Sequence, residues 1–186
     1  FLEEFIMKIK HFIVFLVCLL LFSACSKAEE YPTVSRESKL PVDITKRTPD
    51  SDMTPPIMNS NEFETPVPLP YPVNTSGGED SPFILPDGNT LYFFFTPDVR
   101  IPHNEQLTDN VTGIWVTYKS ADGWTEPARV WLQDAGKLAL DGAPFVAGNE
   151  MWFASAREGY DGMNIFIAER KDGVWGDWQY VGGDIS

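Results

Sequence analysis

One pattern occurs twice in the second half of this 186-residue chain, and it restricts the fold more than any other feature. The first copy runs from Glu79 to Val130 and the second from Leu140 to Val181. Both contain, in the same order, a proline, an aromatic and aliphatic run, a second apolar run, and an Asp-Gly pair with tryptophan close behind. A repeat of roughly 50 residues indicates a structure built from copies of one unit.

Each copy contains four short runs rich in Val, Ile, Trp, Tyr, Phe and Thr, which suit a pleated sheet. In the first copy these runs are Pro82–Leu85, Thr90–Thr96, Gly113–Lys119 and Pro127–Leu132. Asp-Gly pairs between runs favour tight hairpins, because glycine tolerates the positive φ that such turns need. No window beyond the N-terminus combines helical periodicity with caps. The sequence therefore predicts an all-β fold of two four-stranded antiparallel repeats.

Several segments resemble one known repeat. Four segments are similar to the WD-like, TolB-type β-propeller repeat. They are Pro86-Asp87-Gly88-Asn89-Thr90-Leu91-Tyr92-Phe93, Gly113-Ile114-Trp115-Val116, Asp122-Gly123-Trp124 and Ser155-Ala156-Arg157-Glu158-Gly159. The second copy departs from it at Gly148-Asn149-Glu150, where the family has Pro-Asp-Gly. The resemblance covers residues 76–186 and implies two propeller blades, at about 79–132 and 140–181. Since propellers have about four to eight blades, it also implies a fragment of a larger propeller.

The N-terminal region has the features of a secretory signal. A short basic stretch, Met7 to His11, precedes an uninterrupted apolar run of eleven residues, Phe12 to Phe22. This run is shorter than the about 20 residues of a membrane-spanning helix. It is typical of a signal peptide, which we predict over residues 1–24 with the start at Met7.

A cysteine ends the predicted signal. The sequence Leu21-Phe22-Ser23-Ala24-Cys25 is similar to a bacterial lipoprotein box. The resemblance implies that Cys25 is lipidated, and Ser26 in place of Asp implies the outer membrane of a bacterial cell envelope. A plain secretory signal with an incidental cysteine is the alternative.

Residues 25–75 differ in composition from the repeats. They hold nine of the fifteen prolines and no tryptophan, so they favour extended polyproline conformation. We predict a tether between the lipidated cysteine and the repeats. Its last part, Phe63 to Val73, is alternatively a strap that packs over a blade.

The chain is acidic, with a net charge of −13. From Ser76 onward seventeen acidic residues stand against seven basic ones. This balance argues against nucleic acid and against electrostatic docking on anionic lipid, both of which need basic patches.

The two cysteines, Cys18 and Cys25, both precede the repeats, which therefore hold no disulfide or cysteine metal site. We expect neither a metal nor a cofactor.

The longer of two equivalent loops, Pro97 to Thr112, is a candidate binding loop, because long loops on rigid sheets often carry function. The candidate ligand-facing residues in it and in its shorter counterpart are Asp98, Arg100, His103, Glu105, Arg157 and Asp161. The alternatives are an ordinary polar loop and, for Arg157, a tie between neighbouring blades. No metal-ligand spacing surrounds His103.

The six tryptophans all lie in the repeat region. Trp115 and Trp152 occur within strand runs and are predicted to lie between the blades. Trp124, Trp175 and Trp178 follow Asp-Gly turns, where they either pack on the outermost strand or form a rim that stacks on sugars.

These features favour a non-catalytic binding or scaffold module, anchored by lipid, with a protein or carbohydrate partner. A propeller-type glycoside hydrolase is the alternative, and it requires two carboxylates about 5–10 Å apart. Asp80, Asp98, Glu150 and Asp161 are available, but no motif selects a pair. The chain also lacks the Gly-x-Ser-x-Gly, phosphate-loop and His-Glu-x-x-His motifs. We therefore predict a binding module in preference to an enzyme.

Overall fold

In the computed structural model the chain divides into two units, residues 1–30 and residues 31–186. The structure describes residues 31–55 and 57–183. The predicted signal peptide and Cys25 lie outside the described residues. In the described part, no helix combines the length and the apolar character needed to cross a membrane.

Two antiparallel sheets dominate the second unit, which confirms the all-β prediction. Sheet 1 has the order β1-β2-β3-β4, with β5 also paired to β3, and sheet 2 has the order β6-β7-β8-β9. The strands are β1 (Gly78–Ile84), β2 (Thr90–Thr96), β3 (Gly113–Ser120), β4 (Gly123–Trp124), β5 (Ala128–Arg129), β6 (Ala139–Ala147), β7 (Glu150–Arg157), β8 (Asn164–Lys171) and β9 (Val174–Tyr180). The described residues also form a 3-10 turn, Glu37–Lys39, and a short helix, α1 (His103–Gln106).

The fourth predicted run of each copy forms differently in the two sheets. In sheet 1 only Ala128–Arg129 of the predicted run Pro127–Leu132 forms a strand, β5, and β4 lies before the run; both strands pair with β3. Pro127 lies between them, and a proline has no N–H to donate to the ladder. In sheet 2 no proline interrupts the run, and β9 continues from Val174 to Tyr180.

The first strand of each sheet carries a bulge at the same point of the repeat. The register shifts just before Phe83 in β1 and just before Phe145 in β6. Within the bulges Ser81 has a φ of 47° and Ala143 a φ of 49°, in the left-handed region that residues with a Cβ rarely occupy. The two sheets thus share an unusual backbone conformation as well as an order of strands.

The two sheets pack against each other through one apolar core. Sheet 1 contributes Tyr92, Ile114 and Val116, and the segment after β5 contributes Val130 and Leu132. Sheet 2 contributes Val146, Met151, Phe153, Phe166 and Ala168. Burying one such large side chain contributes about 1.5–3 kcal/mol. Trp175 donates a hydrogen bond from Nε1 to the Tyr92 hydroxyl at 3.3 Å, and burial raises the pKa of Tyr92.

The opposite face of sheet 1 is covered by residues 31–46, here called the strap. The face consists of Leu91, Phe93, Phe95, Val111 and Trp115, and Val34, Leu40 and Val73 pack against it. At the start of the strap, Tyr31 stacks on Trp131 with ring centroids 5.4 Å apart. At its end, Lys46 forms an ion pair with Glu79.

The strap lies within residues 25–75, for which the sequence predicts a tether. Residues 31–46 pack on sheet 1, whereas the proline-rich residues 47–70 are exposed at nearly every described position. Phe63, which only the alternative strap of residues 63–73 would pack, is 73% exposed, while Val73 is buried. Only the end of the segment predicted as an alternative strap therefore contacts the sheet.

The prediction that Trp115 and Trp152 lie between the sheets is wrong. Trp115 is buried on the strap-covered face, where its Nε1 donates to the Val111 carbonyl at 2.9 Å. Trp152 alternates along β7 with the core residues Met151 and Phe153, so it lies on the other face of sheet 2. The sequence identified apolar strand positions without identifying which face of the sheet each one occupies.

Candidate functional site

A groove of about 400 Å³ lies where loop 97–112 meets the first two strands of both sheets. Its lining residues are Asp80, Ser81, Phe94, Thr96, Val99, His103, Gln106, Leu140, Gly142, Ala143, Ala154 and Met163. Most of these side chains are apolar or small, with a few polar groups among them. Ligand sites in proteins commonly have this composition.

The wall of the groove depends on a glycine and on the two bulges. A Cβ at Gly142 would lie 3.2 Å from Cδ2 of Phe94, so the absence of a side chain lets this ring approach the β6 backbone. Ser81 and Ala143, the two bulge residues with positive φ, also line the groove. Strained backbone of this kind is often found at functional sites.

Hydrogen bonds within loop 97–112 fix the position of α1. Asp109 accepts hydrogen bonds from the backbone N–H groups of Val111 and Thr112, each at 2.7 Å. Gln106, which is buried, donates from Nε2 to the Ile101 carbonyl at 3.1 Å. His103, at the start of α1, is consequently held beside the groove with its side chain exposed.

Asp98 and Arg100 join the loop to the strap. The Arg100 guanidinium donates to Asp98 Oδ1 at 2.9 Å and to Asp43 Oδ2 at 2.9 Å. These hydrogen bonds hold the pKa of both carboxyl groups below its usual range and raise the pKa of Arg100. Both residues, predicted to face a ligand, are therefore engaged in an internal ion-pair network.

Arg157 lies at the end of β7 and is only 6% exposed. Its Nη2 donates to Asp141 Oδ1 at 2.9 Å and its Nε donates to Ser155 Oγ at 3.1 Å. Ser155 donates in turn to Asp141 Oδ1 at 2.6 Å, and both Asp141 and Ser155 are fully buried.

The Arg157 guanidinium also lies 4.4–5.2 Å from the ring centroids of Phe153, Phe166 and Trp178, a cation–π geometry. Arg157 accordingly forms these contacts within its own sheet.

Sheet 1 contains a matching arrangement, but the strap supplies its arginine. Arg36 is 1% exposed and lies 5.1–5.6 Å from the ring centroids of Phe93, Phe95 and Trp115. Phe93 pairs with Trp115 as Phe153 pairs with Phe166, so the aromatic positions correspond. Arg36 Nη1 is 3.8 Å from Glu79, and burial lowers the pKa of Arg36.

Of the six candidate ligand-facing residues, only His103 lines the groove. Glu105 is exposed on α1, and Asp161 is exposed between β7 and β8, where its carbonyl accepts a hydrogen bond from Asn164 at 3.0 Å. Sequence reasoning missed Gln106, Arg36, Asp141 and Ser155. The contacts of Arg36 and Asp141 join segments that are distant in sequence, so no local motif marks them, whereas Gln106 binds Ile101 within its own loop.

The groove has one carboxylate among its described lining residues, Asp80. Its Oδ1 accepts a hydrogen bond from the Ser81 N–H at 2.6 Å. Asp98, Glu150 and Asp161, the other carboxylates considered for hydrolysis, do not line the groove. The described lining residues of the groove therefore do not include the two carboxylates that a glycoside hydrolase places across one sugar.

Within residues 31–55 and 57–183, no three His, Cys, Asp or Glu side chains lie close enough together to hold a metal ion. Comparison with known proteins yields no match, since no protein-family model, curated protein or solved structure is significantly similar to the chain. Functional inference therefore depends on the geometry of the chain itself.

Proposed function

We propose that this chain is a lipid-anchored binding module of the bacterial cell envelope, which holds a protein or carbohydrate partner in the groove. The groove is the observation that carries the proposal. Val99 is 69% exposed and Met163 56% exposed, and both line it beside His103. Exposed apolar side chains next to a few fixed polar groups suit recognition of a partner.

We further propose that the two sheets are blades of a propeller. The packing of the sheets supports this reading. Sheet 1 contacts sheet 2 through the face that bears Tyr92, while sheet 2 uses the face that bears Phe153. Phe153 corresponds to Phe93, which lies on the opposite face of sheet 1. The repeats therefore stack in the same sense, as successive blades of a propeller do.

The anchoring part of the proposal depends on Cys25 and the residues before it. We expect the wild-type protein to incorporate a labelled fatty acid in bacteria and to sediment with membranes. Cys25→Ser removes the acceptor thiol, so the variant loses the label and is released by the signal peptidase pathway or retained as precursor. Cys18→Ser, in the apolar run, is the matched control and keeps the label. Equal labelling of both variants would contradict lipidation at Cys25.

The groove is tested by photo-crosslinking in cells. A photoreactive amino acid at Val99, beside the groove, is expected to form a discrete adduct with an envelope protein or glycan. The same amino acid at Val174, which is 70% exposed and does not line the groove, serves as the control. Identical adducts at both positions, or an adduct at Val174 alone, would rule out the groove as the contact site. Met163→Glu should abolish the Val99 adduct, because it places a charge on the apolar wall.

A further inference from the structure

A second cavity, here called the aromatic cleft, lies where the β8–β9 hairpin meets β3 and β5. It has a volume of about 260 Å³ and shares no lining residue with the groove. Its walls include aromatic and aliphatic side chains together with two arginines: Tyr118, Arg129, Trp131, Arg170, Val174 and Trp175. The described residues that line it include no aspartate or glutamate.

The two arginines of the aromatic cleft have no carboxylate partner. Arg36, Arg100 and Arg157 each form an ion pair with an aspartate or glutamate. Neither Arg129 nor Arg170 forms one with any residue that the structure describes. Carboxylates are in excess in this chain, whose net charge is −13, yet none lies in this cleft. The cleft is therefore a positively charged site in an acidic protein.

Arg129 contributes charge to the cleft but no accessible donor. Its Nη1 donates to the Ile114 carbonyl at 3.0 Å, its Nη2 donates to the Thr112 carbonyl at 3.0 Å, and its Nε is buried. Burial lowers the pKa of Arg129 to about 10, because the surroundings disfavour the charged form. An anion in the cleft would favour that charged form through space, without touching the Arg129 guanidinium.

Arg170 provides the donors that a ligand can reach. It lies opposite Trp175 in the β8–β9 pair, with its guanidinium carbon 5.8 Å from the centroid of that ring. Its Nε donates to the Gly173 carbonyl at 3.4 Å, a long hydrogen bond. Its Nη1 and Nη2 have no partner in the described part of the chain, and since Arg170 is partly exposed and neither atom is buried, both remain accessible. Two such nitrogens suit the two oxygens of a carboxylate.

We propose that the aromatic cleft binds a small organic carboxylate with one apolar ring, whose carboxylate accepts hydrogen bonds from Arg170 Nη1 and Nη2. Tyr118, Trp131 and Trp175 supply aromatic walls for the ring of the ligand. An inorganic anion would leave these walls uncovered, and a neutral ring would leave Arg170 without a counter-charge. The volume is below the range of about 300–1,000 Å³ for drug-sized ligands, which limits the ligand to a single ring.

The test is an NMR titration of the full chain in a nonionic detergent, with benzoate as the probe and the ionic strength held constant. A ligand of this size binds in about the millimolar range, so the titration extends to about 50 mM. We expect benzoate to shift the Trp175 indole N–H signal saturably. Benzyl alcohol has the ring without the charge and acetate has the charge without the ring, so each should bind at least tenfold more weakly.

Arg170→Met removes the accessible donors and keeps much of the side-chain length, so we expect at least tenfold weaker benzoate binding. Thermal stability should not change, since Arg170 is partly exposed and has no ion-pair partner among the described residues. Arg47→Met makes the same chemical change at an exposed position outside the cleft, and this matched control should bind benzoate as the wild type does.

Three results would overturn the proposal. The first is the absence of a saturable benzoate shift in the wild-type chain. The second is binding of benzyl alcohol or acetate as tight as that of benzoate, which would show a site without selectivity for both parts of the ligand. The third is equal benzoate binding by Arg170→Met and Arg47→Met. The first two comparisons need no variant, and the proposed groove is unaffected by any of them because the two sites share no residue.

Discussion

Replacing Arg157 with methionine is expected to lower the free energy of unfolding by about 3–5 kcal/mol. Methionine preserves much of the length of the side chain but leaves Asp141, which is fully buried, as an uncompensated charge. Ser155 loses a partner at the same time. The change also removes the cation from the face of three aromatic rings. Urea unfolding measured by fluorescence gives the difference directly.

An exposed ion pair provides the control that separates the effect of burial from the effect of removing a positive charge. Lys137→Met breaks the pair with Glu158, whose two side chains are 57% and 52% exposed, and should change stability by less than about 1 kcal/mol. The double variant with Asp141→Leu should recover part of the loss, because it removes the unpaired charge together with its partner. A loss below about 1 kcal/mol in Arg157→Met would contradict the structural role assigned to this residue.

Replacing Arg36 with methionine is expected to detach the strap and to lower the free energy of unfolding by about 3 kcal/mol. Arg36 donates to the Val73 carbonyl at 3.1 Å and to the Pro72 carbonyl, and it lies against three buried rings. Its loss leaves Glu79, partly buried, with only Lys46 as an ion-pair partner in the described part of the chain. Urea unfolding reports the stability, as for Arg157.

Limited trypsin digestion reports on the strap itself. In the Arg36→Met variant, cleavage after Lys39 and Lys46 should accelerate at least tenfold, since a detached strap is accessible to the protease. Arg47→Met, just beyond the strap at an exposed position, is the matched control and should leave both stability and cleavage after Lys39 unchanged. Unchanged cleavage in Arg36→Met would show that the strap does not depend on its arginine.

Local pattern was sufficient to predict the strands. β2 begins at Thr90 and ends at Thr96, as expected from its apolar run. The Asp172-Gly173 hairpin has positive φ at both residues, 50° and 84°, as a primed turn requires. These features depend on residues that are close together in sequence, so a sequence pattern can predict them. The separation of β4 from β5 at Pro127 is also understandable from the sequence, once the pairing of β3 is known.

The site was less predictable because its contacts are distant in sequence. His103 was identified from its position in a long loop, and the structure places it beside the groove. The sequence places Arg157 in the shorter of the two equivalent loops, yet β7 extends to it and Asp141 on the neighbouring strand binds it. The contact of Arg36 with Glu79 joins a proline-rich region to a strand, and no periodicity in either segment indicates it.

The strap also explains why the two copies differ at the end of their second strand, beside the loop that borders the proposed binding groove. By strand register, the position of Arg157 in sheet 2 corresponds to Pro97 in sheet 1. Because Arg36 provides the guanidinium from outside the repeat, the first copy does not need an arginine at the end of β2. That position can instead hold a proline, which ends the strand and begins the loop that carries His103 to the groove. Trimming the chain at the compositional boundary near residue 76 would keep loop 97–112 but remove Arg36, whose guanidinium lies against the rings of sheet 1.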